Sequence, residues 1–312
     1  MTVSRALAFL MLAAPVVAGA QAARPTSPSS AFQRADTASL HRTLDSLATA
    51  HHGIVGYAVH NLDTGERLER RGDETFPTAS LIKVPVLVTV YDLVEKGTLG
   101  LEDPLTVLRI DKVGGSGLLQ FMHDNATITV HDAAWLMTTI SDNTATNLLL
   151  DRIIIRRVWD KMEALGLMHT KVHSKSFLRS ASVAMDSSVK YGLGVTTPNE
   201  MAQLFALLAD GKAVSPRADS AMLDILAHNQ DAEKVQRFVD GLDVPHKTGD
   251  TDQVRTECGL FPLQSRVAYC VLTKENKDQR YMIDNEAHVM MAHMGEALAR
   301  AWPRRPASRT AP

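Results

Sequence analysis

Strand-like segments lie near both ends of this chain, and a long stretch of helical periodicity separates them. Gly53 to Asn61 alternates loosely through the β-formers Ile54, Val55, Tyr57 and Val59, Asp63-Thr64-Gly65 makes a turn, and Glu66 to Arg70 follows. β-like segments return only at Val244 to Thr248, Thr256 to Phe261 and Val267 to Thr273. Between them the spacing predicts helices over Leu81 to Lys96, Val130 to Ile140, Thr144 to Ile155, Trp159 to Leu165, Pro198 to Ala209 and Pro216 to His228, with Gly97, Gly166 and Gly211 as stops. Asp36 to His51, with Leu40, Leu44 and Leu47 on one face, and Asp284 to Trp302 add an amphipathic helix near each end. This order predicts an α/β (α+β) fold: one antiparallel sheet built from both termini and flanked by helices, with an all-helical subdomain inserted. The α/β part spans about 36–80 and 229–302, and the helical part about 81–228, within one domain over 36–312. A ligand is expected in the groove between the two parts.

The first residues do not belong to that domain. Arg5, the apolar run Ala6 to Ala18 and the small residues ending Ala20-Gln21-Ala22 have the pattern of a secretory signal over 1–22, cleaved before Ala23. The apolar run is too short for a permanent bilayer span, and no cysteine stands near the cleavage site to accept lipid. A periplasmic or secreted protein without a membrane anchor is therefore expected, preceded by a polar, proline-rich leader over 23–35. A formal net charge of −2 with mixed signs gives no footprint for nucleic acid or anionic lipid, and a monomer is expected. The two cysteines, Cys258 and Cys270, flank the turn candidate Pro262-Leu263-Gln264-Ser265. If their strands pair across a three-residue loop the cysteines face each other, and export permits a disulfide. A register slip of one residue would instead leave two small buried hydrophobes on opposite faces.

The chemistry is carried by three short motifs in order. Ser80-Leu81-Ile82-Lys83 heads a predicted helix, Ser141-Asp142-Asn143 falls between two helices, and Lys247-Thr248-Gly249 ends a β-like run. A lone Ser-x-x-Lys is a weak signal, and the chain holds a decoy at Ser187-Ser188-Val189-Lys190. Order and position lift Ser80 above it. A hydroxyl is a poor nucleophile at neutral pH, and a lysine three residues on shares its helical face and can act as base. That role requires the lysine pKa to fall through desolvation or nearby cations, and Lys247 is placed to supply positive charge. The helix N-terminus favours developing negative charge, and Gly249 lets a substrate lie along its strand. Taken singly, Ser80 and Asp142 read equally well as helix caps, and Lys247-Thr248-Gly249 as a strand end.

These three motifs resemble those of the class A β-lactamases and the related penicillin-recognising D-Ala-D-Ala peptidases. Ser141 to Leu149 (Ser-Asp-Asn-Thr-Ala-Thr-Asn-Leu-Leu), Gly115 to Gln120 (Gly-Ser-Gly-Leu-Leu-Gln) and Thr196-Thr197-Pro198 are similar to class A segments, and the likeness extends over nearly the whole mature chain. The resemblance implies Ser80 as nucleophile, Lys83 as general base or relay, Ser141 as proton shuttle to the leaving nitrogen and Asn143 as a positioning residue. It implies Lys247 and Thr248 as holders of the substrate carboxylate, and the backbone N–H groups of Ser80 and Asp250 as an oxyanion hole. Arg255 resembles the family's second carboxylate-binding cation, and a solvated surface arginine is the competing reading. The substrate expected is a β-lactam or a D-Ala-D-Ala peptide, and the activity expected is that of a serine β-lactam hydrolase, with a D-Ala-D-Ala carboxypeptidase or a penicillin-binding sensor without turnover as the alternatives.

The chain departs from that family in one stretch. The deacylating glutamate, in a Glu-x-x-x-Asn segment, is missing; Ser176 stands about where it belongs, flanked by Lys175 and Phe177, and Asp186 is the only carboxylate between Leu167 and Tyr191. General-base help is worth about 10²–10⁴-fold, so a long-lived acyl-enzyme is expected, unless Asp186, Lys83 or a shifted loop activates water. Asp250 would repel a substrate carboxylate unless Arg255 or Lys247 compensates it or it points outward. His169 and His173 lack a third ligand, and no phosphate loop appears, so no metal and no cofactor are expected.

Overall fold

The computed structural model describes residues 32–302. The signal over 1–22, all but the last four residues of the leader, and residues 303–312 lie outside the described residues. In chain order the helices are α1 (Thr37–Ala50), α2 (Lys83–Glu95), α3 (Val130–Thr139), α4 (Asn143–Ile153), α5 (Ile155–Ala164), α6 (Met185–Tyr191), α7 (Pro198–Ala209), α8 (Pro216–Ala227) and α9 (Glu286–Ala301). The strands are β1 (Ile54–Asn61), β2 (Arg67–Arg70), β3 (Phe76–Pro77), β4 (Pro104–Val107), β5 (Ala126–Thr129), β6 (Lys171–Val172), β7 (Gly194–Thr196), β8 (His246–Thr251), β9 (Val254–Pro262) and β10 (Arg266–Lys274).

Five strands form the main sheet in the order β2-β1-β10-β9-β8, with every pair antiparallel. Strands from the two ends of the sequence meet at β1 and β10, so the expected joining of the termini is the central pairing of the sheet. Both faces are covered. Val55, Tyr57, Val59, Val267, Tyr269 and Val271 meet Leu40 and Leu44 of α1 and Met291, Met294 and Leu298 of α9. Ala58, Cys258, Leu260, Cys270 and Leu272 belong to the larger core on the opposite face, where α7 lies on the sheet with Leu204 and Phe205. Burial on two faces explains why these strands read as nearly continuous apolar runs with only loose alternation.

The β9–β10 register settles the cysteine question. Pro262 pairs with Arg266 across the three-residue loop 263–265, Cys258 stands opposite Cys270, and the two form a disulfide.

Helices dominate the 81–228 segment, accompanied by a β4–β5 ribbon and the small sheet β3-β7-β6. At its centre α2 is buried nearly all round, with Val84, Val86, Leu87, Val88 and Val90 each at 1% exposure or less. Fully burying such a side chain is worth about 1.5–3 kcal/mol, which fixes the helix that follows the nucleophile motif. Of the two cap candidates Asp142 caps α4 and Ser80 caps no helix, and Asp36, Thr129, Thr197 and Asn285 also accept from a first-turn N–H of their helices. The expected stops Gly97, Gly166 and Gly211 all have positive φ. Three features differ from expectation. β8 runs from His246 to Thr251, so Lys247-Thr248-Gly249 lies within the strand rather than at its end. Ile154, at φ 67, breaks the chain between α4 and α5, so α5 starts at Ile155 rather than Trp159. Residues 185–191, too short to show a period, form α6.

Candidate active site

Ser80 lies in a 3-10 turn, Ala79–Ile82, that leads directly into α2. Ala79 before it is held at φ 47, a region that non-glycine residues enter only when the surroundings dictate it. Those surroundings are visible: Thr78 N donates to Gly194 O at 3.0 Å, and the Thr256 hydroxyl lies 3.0 Å from Thr78 O and 3.2 Å from Gly249 O. Thr256 thus ties β9 to both β8 and the segment before the nucleophile. β8 runs so close that a Cβ on Gly249 would lie 2.7 Å from Ser80 N. Only glycine permits this approach.

Lys83 opens α2 one helical turn from Ser80. Because α2 is the buried axis of the helical part, its amine is drawn out of water. Nζ donates to Ser141 O at 2.7 Å and to Asn143 Oδ1 at 2.9 Å, and lies 3.0 Å from Ser141 Oγ. Burial first, then the charge of Lys247, push the Lys83 amine well below its ordinary pKa, against the pull of Asp142. A neutral amine keeps a lone pair, which is what a base for Ser80 requires.

The connector between α3 and α4 supplies the third side of the site. Ser141 sits at φ 58, turned so that its hydroxyl lies between two lysines, with Lys247 Nζ at 3.3 Å. Asp142 does not face the reaction. It caps α4 through Ala145 N and accepts from Leu118 N at 2.7 Å and Leu119 N at 2.9 Å, so it anchors the glycine-rich loop over the site. Asn143 joins that loop to the base: its Nδ2 donates to Gly114 O at 3.1 Å while its Oδ1 accepts from Lys83.

Lys247 projects from β8, and its Nζ also donates to Thr248 O at 2.9 Å. Burial lowers its pKa to about 8, with Asp231 and Asp250 opposing the shift and Lys234 adding to it. Thr248 and Asp250 point the other way. The Thr248 hydroxyl lies against Asp231. Asp250 faces Lys234 at 3.2 Å and Arg255 at 3.5 Å, so its carboxylate is compensated by two buried cations rather than by pointing outward. Lys234 is buried at 1% exposure; desolvation works against its charge, but Asp250 and Asp231 outweigh it and hold the ammonium protonated. Burial likewise pushes the Asp231 carboxyl up, and the Lys234 charge overcomes this and keeps it well below the usual carboxylate range.

Arg255 departs from its expected setting. It is fully buried, with Nη1 donating to the carbonyls of Thr251 and Val254 and Nη2 to Arg280 O at 2.9 Å, while Tyr281 covers its guanidinium at 4.7 Å. It is neither a solvated surface arginine nor a cation open to a substrate carboxylate; it braces the β8–β9 turn and balances Asp250.

The deacylation region is equally specific. Ser176, at 4% exposure, donates its N–H to Asn147 Oδ1 at 2.8 Å, and its carbonyl accepts from Asn147 Nδ2 at 3.1 Å. The Lys175 ammonium is taken by Asp151. Asp186 lies exposed in the first turn of α6 and bonds to none of these groups. The decoy Ser187 and Lys190 are on the same helix, which packs on β3 and β7 and makes no bond to Ser141 or Lys247. His169 pairs with Glu200 at 2.8 Å and His173 with Gly192 O at 3.2 Å.

Four contributors escaped the sequence reading. Asn147 is recoverable in principle, since it follows Asn143 by one turn on the same helix face. Asp231, Lys234 and Thr256 are not, because nothing in their local spacing ties them to β8.

Known proteins share this fold. A β-lactamase structure from Sphaerobacter thermophilus superposes with a TM-score of 0.75 at 28% identity, covering 85% of this chain and 97% of that one. A point variant of PBP-A, solved as an acyl-enzyme complex with penicillin G, gives 0.74 at 25% identity over 85% and 96%. Among characterised sequences, a β-lactamase regulatory protein, BlaB, from Streptomyces cacaoi is 34% identical over 102 residues, and that match spans about a third of each chain (32%). The β-lactamase CARB-4 from Pseudomonas aeruginosa is 22% identical over 71% of this chain and 74% of its own length. With the β-lactamase enzyme family model matching residues 39–302, and with the fold agreeing, this chain belongs to the β-lactamase enzyme family.

Proposed function

We propose that this protein is an exported, monomeric serine acyl-transfer enzyme that opens β-lactams by forming an ester on Ser80, and that it releases the acyl group slowly. The observation that carries the reading is the buried Lys83 amine, driven toward its neutral form and sharing the Ser141 hydroxyl with Lys247. Lys83 Nζ takes the Ser80 proton as Oγ attacks the lactam carbonyl. The C–N bond then breaks, Ser141 passes its proton to the leaving nitrogen, and Lys83 returns its proton to Ser141. Lys247, charged below about pH 8, attracts the substrate carboxylate. The N–H groups of Ser80 and Asp250 receive the oxyanion. Arg255 serves as a positioning residue through Asp250.

Slow release follows from Ser176. Water must be activated to cleave the ester, and the position where a carboxylate is expected carries a buried serine whose backbone is clamped by Asn147. The same observation favours a second reading, a D-Ala-D-Ala peptidase that β-lactams acylate and inhibit. Intact-mass measurement after mixing with a penicillin tests the proposal. A mass increase of one penicillin that decays over minutes or longer is expected, and none with Ser80→Ala. Adduct on the Ser80→Ala variant overturns the assignment, and return to the free mass within seconds overturns slow release.

A further inference from the structure

We infer that Phe177 is the platform for the acyl arm of the substrate, and that this arm ends in an aromatic ring. The inference rests on Ser80 as the acylated residue and extends it to a substrate class. Phe177 is 73% exposed. Its backbone is nevertheless fixed. Asn147 holds both polar atoms of the Ser176 backbone, Leu178 N bonds to Lys175 O at 3.3 Å, and Lys175 is paired with Asp151. The Phe177 backbone itself lies at φ 57, a conformation an aromatic residue adopts only under such constraint.

The ring borders the catalytic groups. A Cβ built on Gly115 would lie 3.0 and 3.1 Å from Cε2 and Cζ of Phe177 and 2.8 Å from Nδ2 of Asn143. Ring and carboxamide therefore meet at one point, and the other end of that carboxamide holds Lys83. The facing loop carries Gly114, Gly115 and Gly117, so little besides Ser116 crowds the ring, and Leu118, 59% exposed, follows on the same loop. A fixed, open phenyl face selects an apolar ring in offset or edge contact. An anionic arm gains nothing here, because the adjacent cation, Lys175, is already neutralised by Asp151.

The test compares acylation of the full-length protein by benzylpenicillin, which carries a phenylacetyl arm, and by 6-aminopenicillanic acid, which has none. Second-order rate constants come from intact mass. For Phe177→Ala, the loss with benzylpenicillin should exceed the loss with the arm-less compound by about three- to tenfold, the range of one aromatic contact. Phe177→Tyr should restore the ratio, and Phe177→Leu, which keeps bulk without the ring, should lie between. Phe238→Ala, at an exposed aromatic on the segment before β8, should leave the ratio unchanged. Equal losses on both compounds, or no loss on either, refute the platform while leaving Ser80 acylation intact. If the wild-type protein takes up neither compound, the Ser80 reading fails and the platform falls with it.

Discussion

Gly249→Ala probes whether β8 sets the position of the nucleophile. The added methyl would meet Thr78 O at 2.5 Å, Ser80 N at 2.7 Å and Thr256 Oγ1 at 2.7 Å. Two of these are main-chain atoms of the segment that carries the nucleophile, and they cannot swing aside. Restoring ordinary van der Waals separation requires β8 and the Thr78–Ser80 segment to part by about 0.7–0.9 Å. A misplacement near 1 Å costs about 10²-fold in rate, while overpacking costs about 1–3 kcal/mol of stability, so the variant should fold and yet acylate poorly. The assay is the rate of mass gain with a penicillin, measured beside thermal melting of both proteins. A Gly249→Ala variant that melts cooperatively and acylates within about threefold of wild type refutes the claim that contact with β8 fixes Ser80.

Three further outcomes follow from the charges around the site. Ser176→Glu returns a carboxylate to the buried position beside Asn147; the acyl-enzyme lifetime should fall by about 10²-fold or more with little change in acylation, and an unchanged lifetime would show that another group limits release. Lys247 titrates near 8 when folded against 10.5 when free, so the acylation rate constant for a carboxylated β-lactam should fall as pH rises through about 8. The methyl ester of the same compound should lack that limb, and superimposable profiles for acid and ester would count against Lys247 as carboxylate receptor. The sign for stability is opposite. Between about 8 and 10.5 the unfolded chain binds the extra proton, so the Lys247 contribution to unfolding free energy rises with pH across that window, which denaturation at stepped pH measures.

Much of the fold was legible because local signals agreed with the global arrangement. Asp142 reads as a cap and is one, and the Gly97, Gly166 and Gly211 stops adopt the left-handed geometry that only such positions demand. Elements without a period of their own stayed hidden: α6, and the two- and three-residue strands β3, β6 and β7, exist through pairing and packing. The Cys258–Cys270 bridge lay between. Spacing around the turn allowed two registers, and the strand pairing, with Pro262 opposite Arg266 and Cys258 opposite Cys270, decided between them.

The sequence by itself determined the order of the three motifs and the pairing of Ser80 with Lys83, because the two lie one helical turn apart and helix geometry brings them together. It also determined that Ser176 and no carboxylate but Asp186 stands between Leu167 and Tyr191. Only the tertiary structure decided the charge states. Lys83 and Lys247 are ordinary lysines until α2 becomes a buried axis and β8 closes against it; desolvation, joined by the charge of a neighbouring ammonium in each case, then lowers both pKa values. The same packing turned Arg255 inward, aimed Asp250 at Lys234, and set Phe177 at the edge of the site. A linear pattern fixes which groups a helix or strand can present. Burial and long-range charge, which depend on every element packed around them, fix what those groups do.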